Sequence, residues 1–200
     1  MNAPAPDEPF AFTPESLARA EAEIAKYPPG RQQSAVMALL DIAQRQQGWV
    51  SQSAIEAVAA KLEMAPMRVQ EVASFYTMYN LRPVGRHHVQ VCTNISCLLR
   101  GSDEIVAALR ERLGVDFGET TEDGDFTLSE VECLGACVNA PMMQVGDDYY
   151  EDLTPETARA VLDALAKGET PAPGPQGGRQ FSAPEGGPTT LTGAADEGES

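Results

Sequence analysis

The 200 residues include 30 acids against 14 bases, a net charge of −16, with 42% apolar residues. Enough chain is present to bury a core as one large domain or two small ones, and the composition is that of an ordinary globular protein. The acidic balance argues against nucleic acid or an anionic membrane surface as a partner, because both select a basic face. It suits solubility or docking onto a basic partner.

The start, "MNAPAPDEPFAF", is acidic and Pro-rich, with no basic region and no apolar core. It reads as neither a secretory signal nor an Arg-rich transit peptide, and no apolar run reaches the ~20 residues of a spanning helix. A cytosolic chain with a disordered segment over 1–12 is the expectation. A helical unit over 13–82 follows. Thr13-Pro14-Glu15 has the cap, the first-turn proline and the acid of a helix start. Leu17, Ala20 and Ile24 form its stripe, and "YPPGR" ends it. The spacing predicts further helices over about 34–47, stopped by Gly48, over about 53–62, and from Ala65-Pro66 through Tyr76. Phe75, Tyr76 and Tyr79 are expected to pack in the core between helices and sheet.

The pattern changes at "LRPVGRHH". Over 83–168 it predicts a strand in "HVQVC", a helix capped by Ser102 and ended by Gly114, and a strand in "FTLSEVEC". A hairpin turning near Gly146-Asp147 and a last helix from Thr154-Pro155-Glu156 complete the order β-α-β-β-β-α. This is an α+β chain, a small helical bundle followed by an α/β domain with a mixed four-stranded sheet. The Gly/Pro/Ser/Thr-rich segment 169–200 lacks the apolar residues to order alone and is expected to be flexible.

Chemistry concentrates in four cysteines. Cys92 and Cys97 lie in "CTNISC", and Cys133 and Cys137 in "ECLGACVNAP". Each pair begins where a strand ends, so neighbouring strands would present all four sulfurs at one sheet edge. A reducing compartment disfavours disulfides, and neither pair has the C-x-x-C of a redox dithiol. C-x4-C with C-x3-C is allowed but untypical for structural zinc. A two-iron cluster needs two thiolates on each iron and tolerates wider pairs. The spacing leans toward the cluster and leaves zinc and unbridged cysteines open. His87 and His88 are adjacent at a strand start, unlike the separated His ligands of a Rieske centre, and are expected at the surface. Arg100 reads as a solvated arginine at a helix start, and Met142 and Met143 as strand packing.

"SFYTMYNLRPVGRHHVQVCTNISCLLRG" and "VECLGACVNAPMMQVGDDYYEDLTPE" together resemble the thioredoxin-like [2Fe-2S] ferredoxin subunit of respiratory NADH:quinone oxidoreductase, the bacterial complex I. The resemblance covers about 13–167, including the helical unit. It implies a thioredoxin-like fold and one [2Fe-2S] cluster ligated by Cys92, Cys97, Cys133 and Cys137. In some members Pro precedes the second cysteine; Ser96 stands there, at a position that is not a ligand. By analogy with that fold Pro141 is a candidate cis proline, and the sequence leaves its isomer open. The resemblance further implies a flavin- and NADH-binding partner subunit carrying FMN, and the large iron–sulfur subunit as a second neighbour. It places the chain peripherally on the cytoplasmic side of the bacterial inner membrane, without membrane insertion. It also suggests that the C-terminal extension orders against neighbouring subunits. No G-x-G-x-x-G stands between a strand and a helix, so NADH and flavin are assigned to the partner. The corresponding subunit of an NAD-linked hydrogenase or formate dehydrogenase would carry the same ligands, and a structural zinc module for assembly is the reading from a different class.

Overall fold

Thr13 begins the first helix by accepting a hydrogen bond from the Ser16 N–H at 3.2 Å, and Pro14 occupies the first turn, where its missing N–H costs nothing. The computed structural model describes residues 9–184, 186, 187, 189 and 190. The chain divides into two compact units, Met1–Val84 and Gly85–Ser200. Among the described residues no helix is long and apolar enough to cross a membrane.

The first unit contains α1 (Pro14–Ile24), α2 (Val36–Gln47), α3 (Gln52–Leu62) and α4 (Pro66–Phe75), with a 3-10 turn at Gln32–Ala35 leading into α2. Gly48 closes α2 in the left-handed conformation, φ 88°, which a side chain would resist. Ser51 caps α3 through the Ala54 N–H at 3.1 Å. Leu39, Leu40, Ile55, Val58 and Val69 form the fully buried core of this unit. Two expectations change here. Phe10 and Phe12, inside the segment expected to be disordered, meet edge to face and pack against this core, while residues 1–8 lie outside the described residues. Of the three aromatics after Ser74, Tyr79 alone is core, its hydroxyl donating to the Met37 carbonyl at 2.8 Å. Phe75 is 76% exposed because α4 ends there and Tyr76 turns to extended backbone.

The second unit contains β1 (His87–Cys92), α5 (Ile95–Leu99), α6 (Ser102–Leu113), β2 (Glu119–Thr120), β3 (Phe126–Val131), β4 (Met143–Val145), β5 (Asp148–Glu151), α7 (Pro155–Ala166) and β6 (Gly174–Pro175). The sheet order is β2-β3-β1-β4-β5-β6. β1 and β3 are parallel and joined through α5 and α6; β4 runs antiparallel to both β1 and β5. The sheet therefore has six strands where four were expected. β2 pairs antiparallel with β3, and β6 runs parallel to β5. Both added strands are two residues long and carry no alternation, so their pairing is set by the neighbouring strand. Pro175 is tolerated because β6 is an edge strand. Val89 and Val91, with Phe126, Leu128, Met143 and Val145, form one core with Ile105 and Leu109 of α6 and Val161 and Leu162 of α7. Alternation along β1 sends His88, Gln90 and Cys92 the other way. α7 begins with a capping box between Thr154 and Thr157.

Ser102 does not cap α6. Gly101 holds that place at φ 94°, because α5 runs directly into α6 through a left-handed residue, and the fully buried Ser102 hydroxyl has no partner among the described residues.

Candidate metal centre

β1 and β3 end side by side, Cys92 in register with Val131. Each strand then releases a cysteine loop at the same edge. The loops are tied across by side chains: the Thr93 hydroxyl donates to Glu130 Oε1 at 2.7 Å, and the Asn94 amide to Glu132 Oε2 at 2.5 Å. Asn94 also caps α5, the short helix that carries Cys97, by accepting from the Ile95 N–H at 2.9 Å. These cross-links join segments that are distant in the sequence and carry no spacing signal, although Asn directly after a strand is a visible cap signal.

Cys92 and Cys97 are buried with Ala140 and Met142 at this end of the sheet, and Leu134, Ala136 and Tyr149 pack around them. Cys133 and Cys137 are exposed, their sulfurs 3.3 Å apart. The Tyr149 hydroxyl donates to the Leu134 carbonyl at 3.0 Å and anchors the second loop. Ala140–Pro141, beside the same loop, is a cis peptide.

The electrostatics follow the burial. Desolvation pushes the Cys97 thiol up to about 12, with its hydrogen bond to Cys92 and the charge of that neighbour adding to it; the Met142 N–H acts the other way. The Gly135 N–H, and then the Cys137 thiol, hold Cys133 below the ordinary thiol range. Cys137 is raised because it shares its proton with Cys133, while the Ser96 side chain hydrogen-bonds to it in opposition. Cys137 in turn influences Cys97. All four sulfurs therefore belong to one electrostatic neighbourhood.

The donors fit an iron–sulfur group in kind and in arrangement. Two thiolates in tetrahedral bonds of ~2.3 Å to one metal stand roughly 3.8 Å apart, close to the Cys133–Cys137 separation. Cys133 and Cys137 stand as one close pair, and Cys92 and Cys97 pack together in the buried cluster beside them. Two donors for each of two metals is the two-iron pattern; a lone zinc takes four about one centre.

The histidines stay away from this edge. His88 lies four residues before Cys92, roughly 13 Å along β1. It is half-buried, not at the surface as expected, with Nε2 2.8 Å from the Ser129 hydroxyl. His87 stacks on Phe126, and its buried Nε2 has no partner among the described residues. Arg100 is exposed at the entry to α6, as expected, and its Nε reaches the Ala140 carbonyl at 3.5 Å. Met143 is buried in β4 and Met142, just before that strand, is buried beside Cys92 and Cys97, so both pack in the interior.

Comparison with known proteins agrees with this arrangement. The family model described as thioredoxin-like [2Fe-2S] ferredoxin matches residues 20–166. The chain belongs to the thioredoxin-like [2Fe-2S] ferredoxin family. It is 56% identical over 157 residues to the E subunit of the NADH-quinone oxidoreductase of Rickettsia bellii, covering 78% of this chain and 94% of that one. It is 50% identical over 184 residues to NADH dehydrogenase [ubiquinone] flavoprotein 2, mitochondrial, of Dictyostelium discoideum, covering 92% of this chain and 74% of the relative. Among solved structures, the air-oxidized NAD+-reducing [NiFe]-hydrogenase superposes with a TM-score of 0.59 at 16% identity over 67% of this chain and 23% of that one. That likeness is one of fold alone. For this ferredoxin family member, the thioredoxin-like fold and the iron–sulfur character read from the sequence both stand.

Proposed function

We propose that this chain is the electron-transfer [2Fe-2S] subunit of an NADH:quinone oxidoreductase of the complex I type, with Cys92, Cys97, Cys133 and Cys137 as the cluster ligands. The observation that carries the reading is the pair of thiol pairs at one sheet edge, in a chain 56% identical to an NADH-quinone oxidoreductase subunit over 94% of that relative's length. A cluster bound there supplies a one-electron redox couple. The chain's own residues fix the environment of that couple. Gly135 and Met142 direct N–H groups at Cys133 and Cys97 and favour their thiolate forms, the kind of hydrogen bonding that tunes the potential of such a centre. Cys92 and Cys97 are shielded by Ala140 and Met142, while Cys133 and Cys137 open to the surface.

The electron partner is a flavin- and NADH-binding subunit that carries FMN, and the large iron–sulfur subunit is the second neighbour. Ile95, Leu99 and Val138 beside the cysteines are exposed apolar residues suited to such a contact. The chain works peripherally, on the cytoplasmic side of a bacterial inner membrane. The equivalent subunit of an NAD-linked hydrogenase has less support, because the hydrogenase likeness is at 16% identity.

The test is metal and sulfide analysis with EPR on anaerobically purified protein. The expected outcome is two irons and two labile sulfides per chain, as in the family's [2Fe-2S] centre, and a rhombic signal after dithionite. Cys133→Ala should abolish that signal and His88→Ala should leave it intact. Stoichiometric zinc without iron, or loss of the signal in His88→Ala, would overturn the assignment.

A further inference from the structure

The segment beyond Gly168 has no core of its own, yet part of it lies against the chain that leaves Cys137. Gly174 and Pro175 pair with Tyr150 and Glu151 of β5, and the Gln176 N–H donates to the Glu151 carbonyl at 2.9 Å. Arg179 then reaches back. Its guanidinium grips both oxygens of Asp152, Nε to Oδ2 at 2.9 Å and Nη2 to Oδ1, with each side chain only 13% exposed. Nη2 also donates to the Val138 carbonyl at 3.2 Å. The buried Asn139 amide donates to the Phe181 carbonyl at 3.0 Å and to Glu151 Oε2 at 2.6 Å.

Val138 and Asn139 are the two residues that follow Cys137. The Asp152 N–H donates to the Asn139 carbonyl at 2.7 Å, so the partner of Arg179 already holds the same loop through its backbone. Arg179, Asp152, Asn139 and Phe181 close a ring of polar contacts. Asp152 and Phe181 have φ of 50° and 46°, two of the three non-glycine residues with left-handed backbone among those described. Such conformations persist only where their surroundings over-determine them.

We infer that the C-terminal segment is a clamp on the Cys137 loop, with Arg179 as the positioning residue that keeps Cys137 in its ligating arrangement; this rests on the reading of Cys137 as a cluster ligand. Removing the guanidinium leaves Asp152 without its cation and frees the Val138 carbonyl, and both losses let the loop move. The clamp acts on the rate at which the cluster is lost, not on its identity.

The test uses the full-length protein with its cluster, as wild type, Arg179→Gln, Arg179→Lys, Asp152→Asn and the Arg179→Gln/Asp152→Asn double variant. Asn suits the left-handed backbone at 152, so this change spares the fold. Bleaching of the visible absorbance by excess bathophenanthroline gives the release rate, and hydrogen exchange reports the amides of Asn139, Asp152 and Leu153. Arg179→Gln should release iron about tenfold faster, the worth of one charge-assisted hydrogen bond, with faster exchange at those amides and unchanged exchange at Val89 and Leu109. Arg179→Lys keeps the charge without the fork and should fall between. Asp152→Asn, which leaves the Arg179 contact to the Val138 carbonyl in place, should release iron faster than wild type but no faster than Arg179→Gln, and the double variant should add little to Arg179→Gln, because the guanidinium that Asp152 holds is already gone. Release within about twofold of wild type in Arg179→Gln, or additive effects of the two changes, would overturn the clamp. If the wild-type chain holds no iron, the ligand assignment fails separately, and exchange at Asn139, Asp152 and Leu153 still decides whether Arg179 restrains the loop.

Discussion

Burial, not residue type, distinguishes the titratable groups of the second unit. Cys97 is driven up by an apolar surround, whereas Cys133, at the surface with an N–H aimed at it, is driven down. The same rule governs His88, whose pKa burial pushes below its ordinary 6.5. In the unfolded chain this imidazole binds a proton first, so stability rises with pH across the interval between the two values. The contribution of neutral His88 is complete above about pH 6.5 and is lost as pH falls from there toward the folded-state value. Urea unfolding should show the wild type losing more stability than His88→Gln between about pH 7 and 5, the glutamine retaining a partner for Ser129. Parallel pH profiles for the two proteins would show that the folded chain leaves this imidazole unperturbed.

At the scale of elements, the tightest constraint lies where the second unit begins. A Cβ on Gly85 would stand 2.8 Å from the Phe126 carbonyl carbon and 2.9 Å from its nitrogen, both backbone atoms. The strand cannot drift aside, because the Gly85 N–H donates to the Thr127 hydroxyl at 2.6 Å and the His87 N–H to the Asp125 carbonyl at 2.7 Å. Gly85→Ala should therefore cost about 1–3 kcal/mol by chemical denaturation, the usual penalty of overpacking. An unchanged midpoint would mean that β1 and β3 separate freely at this end. This glycine carried no signal in the sequence, since its constraint comes from a strand some 40 residues away in the chain. What was legible had a period or a cap: the helices around Leu39, Val58 and Val69, the hairpin at Gly146-Asp147, and strands ending at Cys92 and near Cys133. β2 and β6 were not, because two residues hold no period, and Ser102 misled because a left-handed Gly101 took the cap position. At the candidate site, the thiols were visible as spacing. The ties between Thr93 and Glu130, Asn94 and Glu132, and Arg179 and Asp152 arise only when the topology sets distant segments side by side.

At the scale of the whole molecule, the exposed apolar residues beside the cysteines bear on the proposed docking to a partner subunit. Leu99 is 80%, Ile95 71% and Val138 68% exposed. Ile95 and Leu99 sit on the short helix that carries Cys97, and Val138 directly follows Cys137. Cys97 and Cys137 lie in one electrostatic neighbourhood, so these exposed apolar residues stand on the two segments that carry the cysteines. Isolated exposed leucines need no explanation, but an apolar rim around a functional group marks a contact surface. The net charge of −16 favours solubility and suits docking onto a basic partner surface. Leu99→Glu removes apolar area from that rim and adds a charge that docking would have to desolvate, at a position where the isolated chain buries almost nothing. The variant should keep the iron content and EPR signal of the wild type, while co-purification with the proposed flavoprotein partner falls at least roughly tenfold, as for an interface residue worth more than 1 kcal/mol. Undiminished co-purification would place the contact elsewhere on the surface, and loss of the EPR signal would mean that Leu99 supports the cysteine loop and not a neighbour.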